Sequence, residues 1–327
     1  MRAFEPLLSN PHLLTILGNF WPREYDFSPF PREDRLIRTD EDTQILVQTQ
    51  RPAVAPLGEV VLLHGLEGNG SSGYIHSMAW DVLNAGFISH RFHMRTCGGT
   101  GNLCKTLYHA GLTSDLRAFL HELHNNGNGL PVFPIGFSLG GNVALKLAGE
   151  LGETDLIDGV CAISTPIDLA AGVRRIGKPG NRIYERRFLS RMRARLLATG
   201  RYTLAELEGA RTLYEIDDRI TAPSFGFAGA DHYYATQSAR NYLDRIRVPT
   251  LLIQAKDDIF IPFESYRHPA FASNPYLRLI ATEHGGHLGF LSRCGARFWV
   301  DEVAIDFLRS RTGARAAPPN PEGTRAA

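Results

Sequence analysis

The chain has 327 residues, of which 43% are hydrophobic and 21% are charged, and its formal net charge is +1. These values are ordinary for a globular protein with a large core, and the near-neutral charge gives no overall attraction for nucleic acid. No stretch approaches the roughly 18 consecutive apolar residues of a membrane span, and the N-terminus lacks the order of a signal peptide. We therefore expect a cytoplasmic protein with no transmembrane segment and no nucleic-acid partner.

The first half of the chain predicts an α/β fold. Residues 1–35 combine a short apolar helical pattern with an aromatic, proline-rich segment, which indicates an N-terminal arm. Two strands are expected at residues 35–38 and 43–49, around an acidic turn. From residue 59 to residue 163 buried strands alternate with helical patterns, so we expect a mostly parallel sheet with helices on both faces.

The second half contains a predicted insertion. After residue 166 the alternation stops, and a mostly helical pattern up to about residue 245 predicts a cap over the carboxyl edge of the sheet. Strands return after residue 248, so the main domain is assigned to residues 36–311, with the cap inserted in it. The final residues, 312–327, are rich in Gly, Ala, Pro and Arg, and we expect them to be disordered.

The cap carries most of the positive charge of the chain. Residues 174–201 contain ten Lys and Arg against one acid, Glu185, so their local charge is +9 (10 − 1). A solvated helix face is the simpler interpretation of this charge. The alternative is attraction of anionic headgroups or of acyl substrates with negative tails.

A strand–turn–helix pattern surrounds Ser138. Residues 132–137 form a short apolar run typical of a buried strand, and helical spacing begins at Ser138. Between them, residues 136–140 match G-x-S-x-G, the nucleophile elbow, in the context that this motif requires. The pattern predicts Ser138 as a nucleophile and the backbone N–H of Leu139 as an oxyanion donor.

A serine hydroxyl needs a base within hydrogen-bond reach, and that base needs an orienting acid. Asp257 and Asp258 follow the predicted strand at residues 249–255, and His284 and His287 follow the last strand. Asp258 is preferred because it lies four residues before a proline, and His287 because two glycines precede it. Asp257 and His284 remain the alternatives, with local structural roles expected for both.

The loop after the strand at residues 59–64 is the expected source of the second oxyanion donor. It begins His64-Gly65, as in the corresponding loop of α/β-hydrolases, and we assign the donor to the N–H of Leu66. His64 is expected to hold the loop. No phosphate-binding glycine motif, cysteine pair or zinc spacing is present, so no cofactor and no metal are expected.

Together these motifs resemble a known family. Residues 64–68, 108–111, 136–142, 257–258 and 283–290 resemble the YheT-like branch of the α/β-hydrolases, which is similar to the eukaryotic α/β-hydrolase-domain esterases and phospholipases. The resemblance covers nearly all of residues 4–308 and implies the α/β-hydrolase fold, esterase activity and a triad of Ser138, Asp258 and His287. The loop at residues 95–99 departs from the pattern, because Thr96 stands where glycine is expected.

We therefore expect a serine hydrolase that cleaves carboxylic esters of short to medium acyl chains through an acyl-enzyme. Its partner would be a small-molecule ester or lipid, with transient contact at a membrane surface as a further option. Two alternatives stay open. The first is a lipase or phospholipase acting on glycerolipids, for which the basic cap is the only indication. The second is a catalytically idle hydrolase fold used for binding, against which the intact Ser, Asp and His argue.

Overall fold

A sheet of eight strands organises the computed structural model, which describes residues 3–312. The strands are β1 (Arg32–Asp40), β2 (Thr43–Gln50), β3 (Glu59–Leu63), β4 (Ile88–Phe92), β5 (Val132–Phe137), β6 (Val160–Ile163), β7 (Thr250–Ala255) and β8 (Leu277–Thr282). They are ordered β1-β2-β4-β3-β5-β6-β7-β8. The β1–β2 and β2–β4 pairs are antiparallel and the other pairs are parallel, which confirms the predicted mostly parallel sheet.

Helices cover both faces of the sheet. The α-helices are α1 (Pro11–Phe20), α2 (Gly73–Asn84), α3 (Ser114–Asn125), α4 (Leu139–Leu151), α5 (Leu169–Ile176), α6 (Arg182–Ala198), α7 (Leu204–Glu208), α8 (Leu213–Ile216), α9 (Ala222–Ser224), α10 (Ala230–Gln237), α11 (Ala270–Ser273) and α12 (Trp299–Thr312). Helices α3 and α4 share one hydrophobic core with the sheet, and α2 and α12 share another. Because both faces are covered, every residue of β3, β5, β6 and β7 is buried, and most of these residues are apolar.

Helices α5 to α10 connect β6 to β7 without an intervening strand. Their apolar side chains form a small core of their own, which includes Leu189, Met192, Leu196, Leu207 and Leu213. Leu107 of the main domain belongs to the same cluster. A helical cap is thus present where the sequence predicts one, and its limits at about residues 166 and 245 stay a prediction.

The chain ends differ in small ways from the predicted boundaries. Strand β1 begins at Arg32, three residues before the predicted end of the arm. The predicted disordered tail lies outside the described residues, except that Thr312 is the last residue of α12. Within residues 3–312 no helix is both long and apolar enough to cross a membrane. The cytoplasmic location stays a prediction.

Candidate active site

Ser138 occupies a strained turn between β5 and α4. Its backbone has φ 51° and ψ −121°, a conformation that costs energy for a residue with a side chain. Both glycines of the motif are required, since a Cβ on Gly136 would collide with the Gly140 carbonyl and one on Gly140 with the Leu63 carbonyl. The turn places Ser138 at the carboxyl end of β5, the edge where parallel sheets bind ligands.

A line of hydrogen bonds joins Ser138, His287 and Asp258. The Ser138 Oγ lies 3.0 Å from Nε2 of His287, and Nδ1 of the same ring lies 3.0 and 3.2 Å from the two carboxylate oxygens of Asp258. The three residues follow β5, β8 and β7. These distances suit a nucleophile, a general base and an orienting acid.

The Asp258 carboxylate is buried and held on several sides. Its Oδ1 accepts hydrogen bonds from the backbone N–H groups of Phe260 (2.8 Å) and Ile261 (3.0 Å). Its Oδ2 accepts a third from Nε2 of Gln254 at 3.1 Å. These three donors hold the carboxylate so that it faces the imidazole.

His287 is positioned partly by the N-terminal helix. Its backbone N–H donates to Oγ1 of Thr15 in α1 at 2.9 Å, and its ring packs on Phe260 with the centroids 4.8 Å apart. The preceding Gly286 has φ 56°, and a Cβ there would collide with the Pro11 carbonyl oxygen. Sequence reasoning missed this contribution of α1, since no local pattern links residue 15 to residue 287.

The alternative residues, Asp257 and His284, form a pair of their own. His284 Nδ1 lies 3.1 Å from Oδ2 of Asp257, and Oδ1 of Asp257 accepts a hydrogen bond from the Gly286 N–H at 2.9 Å. The two adjacent carboxylates therefore face two different histidines. The Asp257–His284 pair holds the loop that leads to His287.

The two expected oxyanion donors lie close to the serine. Leu139 is the first residue of α4, Leu66 follows β3, and both line a cavity together with Ser138. The Leu66 loop approaches Ser138 closely, since a Cβ on Gly65 would lie 3.1 Å from Cβ of Ser138. His64 holds this loop, with Nδ1 bonded to the Gly65 carbonyl and Nε2 accepting the Met94 N–H. Burial lowers the pKa of His64 to about 4, so its ring is neutral.

Glu67, next to Leu66, forms a buried ion pair with Arg195 of the cap. Its carboxylate accepts hydrogen bonds from Nε and Nη2 of Arg195 in α6, at 3.0 and 2.8 Å. Arg195 also donates to Oγ1 of Thr96 at 2.7 Å and lies over the Tyr108 ring, 4.7 Å from its centroid. The Tyr108 hydroxyl accepts the Glu67 N–H at 3.0 Å. Thr96, the residue that departs from the family pattern, thus contributes its hydroxyl to a link between the cap and the Leu66 loop.

Two cavities meet at Ser138 and His287. The first lies between the sheet and the cap, and most of its lining is apolar. Its polar groups have protein partners: Arg195 binds Glu67, and Asp217 accepts from the Tyr234 hydroxyl at 2.7 Å. Burial lowers the pKa of His109 to about 3, so its ring is neutral there. This cavity suits a hydrocarbon chain.

The second cavity is a cleft between α1, the Leu66 loop and α6. It reaches Ser138 and His287 from the other side, and Ile16 and Phe20 of α1 form part of its wall. Two arginines, Arg187 and Arg191, line it, whereas none of the described residues that line it is an Asp or a Glu. The serine therefore lies between an apolar cavity and a cleft of positive potential.

The sheet order, the elbow at Ser138 and the helical cap define the class of protein, an α/β-hydrolase. The family described as "Serine aminopeptidase, S33" matches residues 54–277. YheT of Escherichia coli, which is named an esterase, is 34% identical over 94% of this chain and 92% of its own length. The chain therefore belongs to this hydrolase family and to its YheT-like branch.

More distant relatives are named as lipid hydrolases. The monoacylglycerol lipase of Saccharomyces cerevisiae is 27% identical over 76% of this chain and 58% of its own length. Phospholipase ABHD3 of Mus musculus is 27% identical over 77% of this chain and 63% of its own length. Among solved structures, the Pyrococcus furiosus esterase Pf2001 superposes with a TM-score of 0.60 at 18% identity, over 89% of this chain and 98% of its own. That likeness shows the fold alone.

Proposed function

We propose that the chain is a serine hydrolase that cleaves carboxylic esters through an acyl-enzyme intermediate. The observation that carries the proposal is the continuous hydrogen-bonded line from Ser138 through His287 to Asp258, with 3.0 Å at each junction. The relatives named as esterase, monoacylglycerol lipase and phospholipase support ester substrates.

The geometry suits the following steps. His287 takes the proton of the Ser138 hydroxyl as Oγ bonds to the ester carbonyl carbon. Asp258 accepts a hydrogen bond from Nδ1–H of the imidazole and so fixes its tautomer. The tetrahedral oxyanion accepts hydrogen bonds from the N–H groups of Leu66 and Leu139, and loss of one such donor typically costs about 100- to 1,000-fold in turnover. The carbon–alkoxide bond then breaks, His287 protonates the leaving alcohol, and a water molecule releases the acid by the same steps.

We assign the acyl chain to the apolar cavity under the cap and the alcohol to the cleft. The acyl cavity is lined by apolar side chains of the cap, such as Val173, Ile176 and Met192. The cleft carries two arginines, which suits a polar or anionic alcohol. This orientation follows from the different chemistry of the two cavities.

The test is hydrolysis of p-nitrophenyl esters from acetate to palmitate by the wild type and by Ser138→Ala. We expect serine-dependent turnover that is highest for short to medium chains. A maximum at palmitate would favour a lipase, whereas turnover that is unchanged in Ser138→Ala would contradict the proposal.

A glycerolipid substrate is a second candidate, and the cleft is the observation that favours it. Arg187 and Arg191 line the cleft beside Ser138, so a phosphorylated or otherwise polar glycerol group would find complementary charge there. Hydrolysis of monoacylglycerol and lysophospholipid, compared with p-nitrophenyl esters of the same acyl length, tests this candidate. Turnover confined to the p-nitrophenyl esters would exclude it.

A further inference from the structure

We propose that α1 and the outer face of α6 form a docking surface for an anionic lipid bilayer, at the mouth of the cleft that leads to Ser138. The proposal rests on the proposed function, because the bilayer would present the lipid ester to the active site. Three features favour lipid as the occupant: exposed apolar side chains, exposed arginines and the position at the mouth of the cleft.

Helix α1 turns an apolar face to solvent. Leu13, Ile16 and Phe20 are exposed to 48%, 41% and 62%, and their spacing places them on one side of the helix. The opposite side, with Leu14 and Thr15, is buried against the main domain. Because the other face of α1 is apolar and exposed, it is available to bind an apolar partner.

Helix α6 extends this apolar surface. Nδ1 of His12 lies 3.1 Å from the Tyr184 hydroxyl, and the Arg187 guanidinium lies 5.2 Å from the centroid of the Phe20 ring. The two helices are therefore neighbours along both ends of α1. Ile183, beside Tyr184, is 73% exposed, more than any other large hydrophobic residue within residues 3–312.

The outer face of α6 adds a positive charge that matches an anionic surface. Arg182, Arg186, Arg187 and Arg191 are all exposed, and none of them forms an ion pair with another described residue. The only acid of the helix, Glu185, is buried and accepts the Leu213 N–H. Exposed apolar side chains flanked by arginines are the features of a helix that binds at the interface of an anionic membrane.

The surface is continuous with the route to the serine. Ile16, Phe20, Arg187 and Arg191 line the cleft that reaches Ser138. An ester held at this surface would therefore enter the cleft without crossing the body of the protein.

The experiment is co-sedimentation of the full chain with vesicles of phosphatidylcholine alone or mixed with phosphatidylglycerol. We expect binding to the mixed vesicles only, and a loss of about tenfold or more in Leu13→Ser/Ile183→Ser and in Arg182→Gln/Arg186→Gln. None of these four residues lines the catalytic cavities, so every variant should hydrolyse a soluble p-nitrophenyl ester at the wild-type rate.

Matched controls come from exposed residues elsewhere. Val54→Ser/Leu204→Ser removes side chains that are 65% and 54% exposed, and Arg51→Gln/Arg267→Gln removes two exposed charges; both variants should bind as the wild type does. Equal loss in the controls, equal binding to both vesicle types, or no binding would overturn the proposal. So would a dimer in gel filtration that Leu13→Ser/Ile183→Ser converts to a monomer, because the surface would then join two copies. If the wild type does not hydrolyse the soluble ester at all, the proposed function is refuted instead.

Discussion

At the scale of single residues, the site depends on the orientation of two adjacent carboxylates, those of Asp257 and Asp258. Asp258 faces His287 and receives hydrogen bonds from Phe260, Ile261 and Gln254. Asp257 faces His284 and the Gly286 N–H. Asp258 can therefore orient His287, whereas Asp257 can only support the loop.

Exchange of each aspartate for asparagine separates these roles. In Asp258→Asn the amide can present an N–H to Nδ1 of His287, which favours the wrong tautomer, and we expect turnover to fall by about 10,000-fold. Asp257→Asn is the matched control, and we expect it to keep turnover within about tenfold. Steady-state hydrolysis of a p-nitrophenyl ester measures both. Equal losses in the two variants would contradict the assignment of Asp258.

Sequence reasoning names residues that lie beside strong local patterns. Ser138 sits in a motif between a strand and a helix, and Asp258 and His287 follow strands in the order typical of the fold, so the structure brings together the three predicted residues. Thr15 and Arg195 also support the site, yet neither lies in such a motif. Their contacts span 272 and 128 positions of the chain, so only the fold reveals them.

At the scale of elements, the arginines of helix α6 contribute to two different surfaces. Arg195 is directed inward and binds Glu67 beside Leu66, whereas Arg187 and Arg191 line the cleft. The local charge of +9 predicts a basic cap but cannot show which arginines are paired. Burial and hydrogen bonding make that distinction.

Arg195→Lys tests whether the cap positions the oxyanion loop. Lysine keeps the charge but loses the two-pronged hydrogen bond, so Glu67 and the adjacent Leu66 are expected to shift. We predict that turnover falls about tenfold to a hundredfold with little change in KM, which is less than the typical cost of losing an oxyanion donor. Affinity for a trifluoromethyl ketone, which mimics the tetrahedral intermediate, should weaken in parallel.

The matched control is Arg186→Lys, on the exposed face of the same helix. It should leave turnover and inhibitor affinity unchanged. A loss of stability in Arg195→Lys with unchanged affinity for the ketone would limit Arg195 to a structural role.

At the scale of the whole molecule, the site is assembled from three layers: the sheet edge, the cap and helix α1. Strands β3, β5, β6 and β7 are predictable because both of their faces are buried and most of their residues are apolar. Strand β1 was predicted too short because its first residues, Arg32, Glu33 and Asp34, are charged and exposed. Their pairing with residues 48–50 of β2 decides their structure, and a local pattern cannot show it.

Asp217, a residue of the cap, makes the stability of the protein depend on pH. Burial raises its pKa from 3.8 to about 6, so the folded chain keeps this proton to a higher pH than the unfolded chain does. The unfolded state therefore binds fewer protons between about pH 4 and 6, and the free energy of unfolding falls as pH rises through that window. Two pKa units correspond to about 3 kcal/mol.

Asp217→Asn should remove this contribution. Between pH 4 and pH 7 the wild type should lose about 3 kcal/mol of unfolding free energy that Asp217→Asn does not lose. The stability of the variant relative to the wild type should therefore rise by that amount. Urea denaturation at several pH values measures it, and Asp231→Asn, at an exposed position of α10, should keep the wild-type pH dependence. A constant difference between Asp217→Asn and the wild type would contradict the prediction.

The most direct test of Ser138 as the nucleophile is the intact mass of the protein after reaction with a fluorophosphonate. We predict one adduct on the wild type, located on Ser138 by peptide mapping, none on Ser138→Ala, and much slower labelling of His287→Ala. An adduct of equal yield on Ser138→Ala, or its location on another residue of the wild type, would contradict the assignment.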